Sequence, residues 1–238
     1  MKIIPCSDYD EMSQLAAQSV LTELRQNSSQ LLCPASGNSA VDVYKKLAEA
    51  IHVDPQYFKE LRILMLDEWY GLPSEDPSSC NVFLQKHLIQ PLSISKKRYF
   101  SFKSNAPDPE KECDRMAETL SEHGPIDICI LGLGKNGHLG FNEPSESLSP
   151  HCHVAKLSEV SQKHAMIADM DNPPESGLSL GMEDIIQSKK IILLLTGNSK
   201  QEIIKKLLSK KITTQLPASL LWQHPNTECY LDLGAISD

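Results

Sequence analysis

At 238 residues the chain is long enough to bury a substantial core, and its length suits one large domain spanning 1–238 better than two small ones. A formal net charge of -8 and a pI near 5.5 argue against nucleic acid or an anionic membrane as partner, since both reward a clustered positive face. The small basic groups at 96–98, Lys189 with Lys190, and 205–211 read as solvated faces. The N-terminus MKIIPCSDYD lacks the apolar segment of a signal peptide and no stretch approaches bilayer length, so a cytoplasmic protein is expected. Seven scattered cysteines without a CxxC pair suit reduced thiols, with Cys33 and Cys129 in the core.

Residues 2–4 read as a short strand, followed by Ser7 and Asp8 as caps for a helix with Met12, Leu15, Ala16, Val20 and Leu24 at helical spacing. A strand at 30–34 leads into Ala35, Ser36, Gly37, Asn38 and Ser39, then a helix with Val41, Tyr44, Leu47, Ala48 and Ile51 on one side. Strand, small polar loop and helix together can form an anion site, or can simply cap the helix. Residues 62–66 form the next strand and deliver Asp67 and Glu68 to the sheet's edge. Adjacent acids often mark a solvated turn, but the following Trp69, Tyr70, Gly71, Leu72 and Pro73 can shield them as catalytic carboxylates.

A helix over 79–89, a strand over 99–102 and a helix over 109–123 continue the alternation. Residues 126–131 are then apolar except for Asp127, as in a strand buried on both faces of a parallel sheet. Gly132, Gly134, Gly137 and Gly140 follow, with Asn136, His138, Asn142 and Glu143 among them. The first three of these glycines spell GxGxxG, yet Gly140, Pro144 and Pro150 argue against the helix that a dinucleotide site requires. Polar residues at a strand's carboxyl end are where open α/β sheets place their chemistry.

Residues 145–150 read as loop, and His151, Cys152 and His153 as a strand entry with no further ligand at metal spacing. Residues 156–170 read as a flap over the site and 169–177 as breaker-rich loop. A strand at 190–195 ends in Thr196, Gly197, Asn198, Ser199 and Lys200, followed by a helix over 201–208. A short helix at 217–222 and a strand at 227–233 close the chain. Strand and helix alternate throughout, which predicts a three-layer, Rossmann-like α/β fold with a mostly parallel sheet and helices on both faces.

LDEWYGLP, GHLGFNEP, TGNSK and ASGNS, in this order and spacing, resemble the glucosamine-6-phosphate deaminase family and its galactosamine-6-phosphate isomerase relatives along nearly the whole chain. The resemblance implies conversion of a 2-amino-2-deoxyhexose 6-phosphate into a ketohexose 6-phosphate and ammonia, with no cofactor and no metal. It casts Asp67 as the base that moves the C2 proton to C1, and His138 as the ring-opening group oriented by Glu143. Ser36, Gly37, Asn38, Ser39 and Lys200 become phosphate ligands.

Three departures stand out. Asn136 replaces the family's Asp beside the catalytic histidine, offering His138 an acceptor but no charge. No Arg follows Arg115, so His164 or Lys163 is the flap residue left to meet the phosphate. Glu146, Ser147, His153 and Ala155 stand where some deaminases build an allosteric site. A 6-phosphogluconolactonase-like hydrolase and a non-catalytic sugar-phosphate-binding regulator are the alternatives, and a homo-oligomer stays open.

Overall fold

The computed structural model describes residues 1–235. Lys2–Cys6 forms β1, and the Asp8 carboxylate caps α1, Tyr9–Gln26, accepting the Glu11 N–H at 2.8 Å. Ser7 joins from the other side, its N–H donating to the Glu11 carboxylate at 2.6 Å. Met12, Ala16, Val20 and Leu24 are buried along with Ser13 and Ala17, and this stripe leaves Leu15 on the opposite, solvent side at 37% exposure.

Leu31–Cys33 is β2, and Val41–Val53 is α2, which packs beside α1 and buries Val43, Tyr44 and Leu47. Arg62–Leu64 is β3, where the structure departs from the expected strand. Met65 keeps one bond to the first sheet, its N–H donating to the Phe100 carbonyl at 2.9 Å, Leu66 leaves it, and Asp67–Trp69 begins a separate strand, β4. The two acids therefore lie inside a second sheet and not at the edge of the first.

The helix expected over 79–89 is α3, Cys80–Leu84, continued by a π turn at Gln85–Ile89. Tyr99–Phe100 is β5, Pro109–His123 is α4, and Ile128–Gly132 is β6. His153–Lys156 is β7, Glu159–Gln162 is α5, Ser176–Ser179 is β8, and Met182–Ile186 is α6. Lys190–Leu195 is β9, Gln201–Leu208 is α7, and Thr227–Asp232 is β10.

The main sheet has seven strands in the order β1-β10-β9-β6-β2-β3-β5, all paired in parallel. In β6 and β9, Ile128–Leu131 and Ile191–Leu195 are fully buried, which explains why both segments lack polar alternation. Strand order reverses between β2 and β6, so their carboxyl ends diverge into a crevice. The small sheet, β4-β8-β7, is antiparallel and pairs Asp67 with Ser179 and Trp69 with Gly177.

Successive residues of an extended strand face opposite ways, and Glu68 turns from the crevice into the protein. Its carboxylate accepts the backbone N–H groups of Trp69, Cys80 and Asn81, each at 2.8 Å, tying β4 to the start of α3. Burial still pushes its pKa up to about 7, against the pull of those amides. Glu68→Ala strands three buried donors and is expected to lower unfolding free energy by about 3 kcal/mol in a denaturant titration.

Lys190, expected on a solvated face, is only 8% exposed. Its ammonium meets Glu23 at 3.1 Å and Glu228 at 3.3 Å, joining α1, β9 and β10, while Lys189 alone points outward. Among the described residues, no helix is long and apolar enough to cross a membrane.

Candidate active site

A cavity of about 750 Å³ lies over the carboxyl ends of β2, β6 and β9, with β4 and the 156–170 segment closing its sides. Three loops supply its floor. After β2, the Tyr44 hydroxyl holds the Ala35 carbonyl at 2.6 Å and the Tyr9 hydroxyl holds that of Asn38 at 2.8 Å. These bonds bring Ser36, Gly37, Asn38 and Ser39 to the wall, where a short helical turn begins whose first N–H groups have no intrahelical partner.

After β6, no helix starts. The chain instead turns back on itself: the Gly134 N–H donates to the His138 carbonyl at 3.1 Å and the Gly137 N–H to the Gly134 carbonyl at 3.0 Å. The His138 ring lies flat against Gly134. A Cβ at Gly134 would sit 2.3 Å from its Nε2, so glycine is required by close approach. Gly134→Ala is expected to displace the ring and lower kcat by roughly 100-fold, measured as turnover at saturating substrate, while the fold persists.

After β9, Gly197 at φ 102° turns the chain so that Lys200 reaches the cavity. Burial, aided by the neighbouring charge of Lys135, lowers the Lys200 pKa to about 8, so an incoming anion would be held by a cation that lacks a full hydration shell.

Asp67 enters from β4 at 7% exposure. Burial raises its pKa to about 6, and three effects restrain the rise: the Ser36 hydroxyl donating at 3.1 Å, the charge of His138, and the Cys80 thiol. Ser36 therefore supports Asp67 through its side chain, leaving its backbone to the loop. Gly140, at φ 57°, lets the chain pass close to Asp67 Oδ2, 3.6 Å from where a Cβ would stand.

Opposite, Glu143 Oε2 lies 3.5 Å from His138 Nδ1. Burial would raise the Glu143 pKa, but the bonds and charge of His138 and the donors of Ser161 and Asn136 prevail and hold it at about 2. Asn136 does not reach the His138 ring. Its Oδ1 accepts the His138 backbone N–H at 3.2 Å and its Nδ2 donates to Glu143 at 2.7 Å, so it steadies the turn and the carboxylate.

His164 and Lys163 both reach the cavity from the flap segment. The His164 Nδ1 accepts the Met166 N–H at 3.3 Å, leaving its proton on Nε2, beside Gly37. Burial and the charges of His138, Lys200 and Lys135 push its pKa down to about 4, so before any anion binds the ring is neutral and presents its Nε2–H as a donor.

Sequence reasoning passed over Ser158, Ser161 and Lys135. Ser158 had a signal, as a serine at the N-cap of a short helix; Ser161 and Lys135, the latter within the glycine turn, had none. His151 and His153 serve β7: His151 bonds Asp184 at 2.9 Å, and His153 Nδ1 lies 3.1 Å from the His151 carbonyl. No group of three His, Cys, Asp or Glu side chains suited to a metal occurs among the described residues.

A family model for glucosamine-6-phosphate isomerases/6-phosphogluconolactonase matches residues 7–230. The chain belongs to this family. Within it, the chain is 38% identical over 225 residues to the putative deaminase AgaI of Escherichia coli K12, covering 94% of this chain and 89% of that one. It is 33% identical to glucosamine-6-phosphate deaminase 1 of Bacillus subtilis 168, covering 100% and 99%.

A solved monomeric glucosamine-6-phosphate deaminase superposes with a TM-score of 0.94 at 33% identity, covering 99% of this chain and 98% of that one. The 6-phosphogluconolactonase of Trypanosoma cruzi shares the fold, with a TM-score of 0.79 at 19% identity and 98% and 95% coverage. The family's mostly parallel sheet with surrounding helices is the fold expected from the alternation of elements.

Proposed function

We propose that this chain, acting as a single domain over 1–238, isomerises and deaminates a 2-amino-2-deoxyhexose 6-phosphate, releasing a ketohexose 6-phosphate and ammonia. The observation that carries the reading is Asp67: a carboxylate buried beside the cavity with its pKa raised to about 6 is a far better base at neutral pH than an exposed aspartate. His138 takes the proton of the sugar's O1 hydroxyl and delivers it to O5 as the C1–O5 bond breaks, with Glu143 balancing the charge that the ring carries between the two transfers. Asp67 then removes the C2 proton and returns it at C1 while a proton of the C2 ammonium passes to O1, giving the C2 iminium that water hydrolyses to ketone and ammonia.

The phosphate is held by the loop amides of Ser36, Gly37, Asn38 and Ser39 and by Lys200, with the His164 Nε2–H as a further donor. Binding energy from this distant group orients C1 and C2 against Asp67. The reaction needs no redox or group-transfer cofactor, because every step moves a proton or adds water. Ammonia release, measured side by side on glucosamine 6-phosphate and galactosamine 6-phosphate, with hydrolysis of phosphogluconolactone as the third arm, tests the assignment. Faster lactone hydrolysis than ammonia release would overturn it, and so would silence in all three arms.

A further inference from the structure

Glu143 is contacted by two segments far apart in the chain: the glycine turn after β6 and the flap at 156–170. From the flap, the Ser161 hydroxyl forms a short hydrogen bond to Glu143 Oε1, and the Ser158 N–H approaches the same oxygen at 3.4 Å. From the turn, Asn136 Nδ2 donates to Oε2 at 2.7 Å and reaches the Ser158 hydroxyl at 3.3 Å. Ser161 is 2% exposed, and its Oγ also lies 3.3 Å from His138 Nδ1.

The proton count settles the direction of this chain of contacts. An ionised carboxylate only accepts, so the single hydroxyl proton of Ser161 is committed to Glu143. What Ser161 turns toward His138 is a lone pair, which requires a proton on Nδ1 and leaves Nε2 as the ring's acceptor. Glu143 Oε2, 3.5 Å from Nδ1, calls for the same tautomer, and Ser161 Oγ at 3.3 Å is the nearer of the two acceptors.

We propose that Ser161 is a positioning residue for ring opening: carried on the segment at 156–170, it holds His138 as the Nδ1–H tautomer. No proton leaves Ser161; it relays the orientation of Glu143 and nothing more. The proposal rests on His138 as the ring-opening group.

Nitrogen NMR of the His138 ring in the labelled protein reads the tautomer without any turnover. The wild type is expected to show Nδ1–H, Ser161→Ala a mixture of tautomers, and Ser161→Thr, which keeps the hydroxyl, the wild-type signature. In parallel, kcat should fall roughly tenfold in Ser161→Ala, with KM changed less than about threefold, and recover in Ser161→Thr. An Nε2–H ring in the wild type would overturn the proposal whatever the variants do, as would Ser161→Ala with both tautomer and kcat unchanged. If the wild type turned over no amino-sugar phosphate, the reading of function would fall, and the ring tautomer would still decide the role of Ser161.

Discussion

Asp67→Asn is expected to lower kcat by roughly 10³-fold while leaving KM within a few-fold of wild type, because the amide keeps the shape and loses the base. The wild type should lose kcat as pH falls through about 6, the value at which the buried carboxylate takes up its proton. In deuterated water the proton held on Asp67 can exchange with solvent before it is returned, so the wild type should deliver deuterium to C1 of the ketose, and the variant should deliver almost none. Near wild-type turnover in Asp67→Asn would end its assignment as the base.

The same substitution should stabilise the protein. In the folded state the Asp67 pKa lies above its free value of 3.8, so the charged form is disfavoured by folding. This group therefore favours the fold below about pH 4 and loses that contribution as pH rises through about 6, a penalty on the order of 3 kcal/mol at neutral pH. Asp67→Asn removes the penalty. Its melting temperature should exceed that of wild type at pH 8 and approach it at pH 4.

His138→Gln is expected to lower kcat about 100-fold, since ring opening would lose its proton shuttle while the later transfer by Asp67 stays intact. Deuterium incorporated per turnover should therefore match wild type even as turnover falls, which separates this variant from Asp67→Asn. A loss of incorporation per turnover in His138→Gln would mean that His138 takes part in the C2–C1 transfer as well.

How legible these features were in the sequence depended on where their determinants lie. The boundaries of β9 follow from KIILLL itself, a run buried on every side and ended by Gly197. The break between β3 and β4 has no local mark, because RILMLDEW reads without a breaker and the switch of sheets is imposed by β8, a distant partner in the chain. The Lys189–Lys190 pair looked solvated because composition does not reveal strand alternation, which sends one side chain out and the other in toward Glu23 and Glu228.

The site divides similarly. Asp67, His138, Glu143 and Lys200 all reach the cavity region from strand-end segments that their spacing and glycines made conspicuous. Ser161 could not be read this way: a serine in a polar flap resembles any other until the fold carries it to Glu143. Asn136 was recognised as a substitution, but its two contacts, one with the His138 backbone and one with Glu143, depend on how tightly the glycine turn closes.

The neighbouring acids of β4 divide their labour by pleat alone. Asp67 faces the cavity and Glu68 anchors β4 to the head of α3. A slip of one residue in the pairing of β4 with β8 would exchange the two faces, sending the longer acid into the cavity and leaving the amides of Trp69, Cys80 and Asn81 to the shorter one. Because those three bonds fit only the present register, the anchor acts as a proofreader for the reactive group beside it. For anyone grafting this centre into another sheet, the portable unit is thus the dipeptide Asp67-Glu68 together with the helix start that receives the second acid.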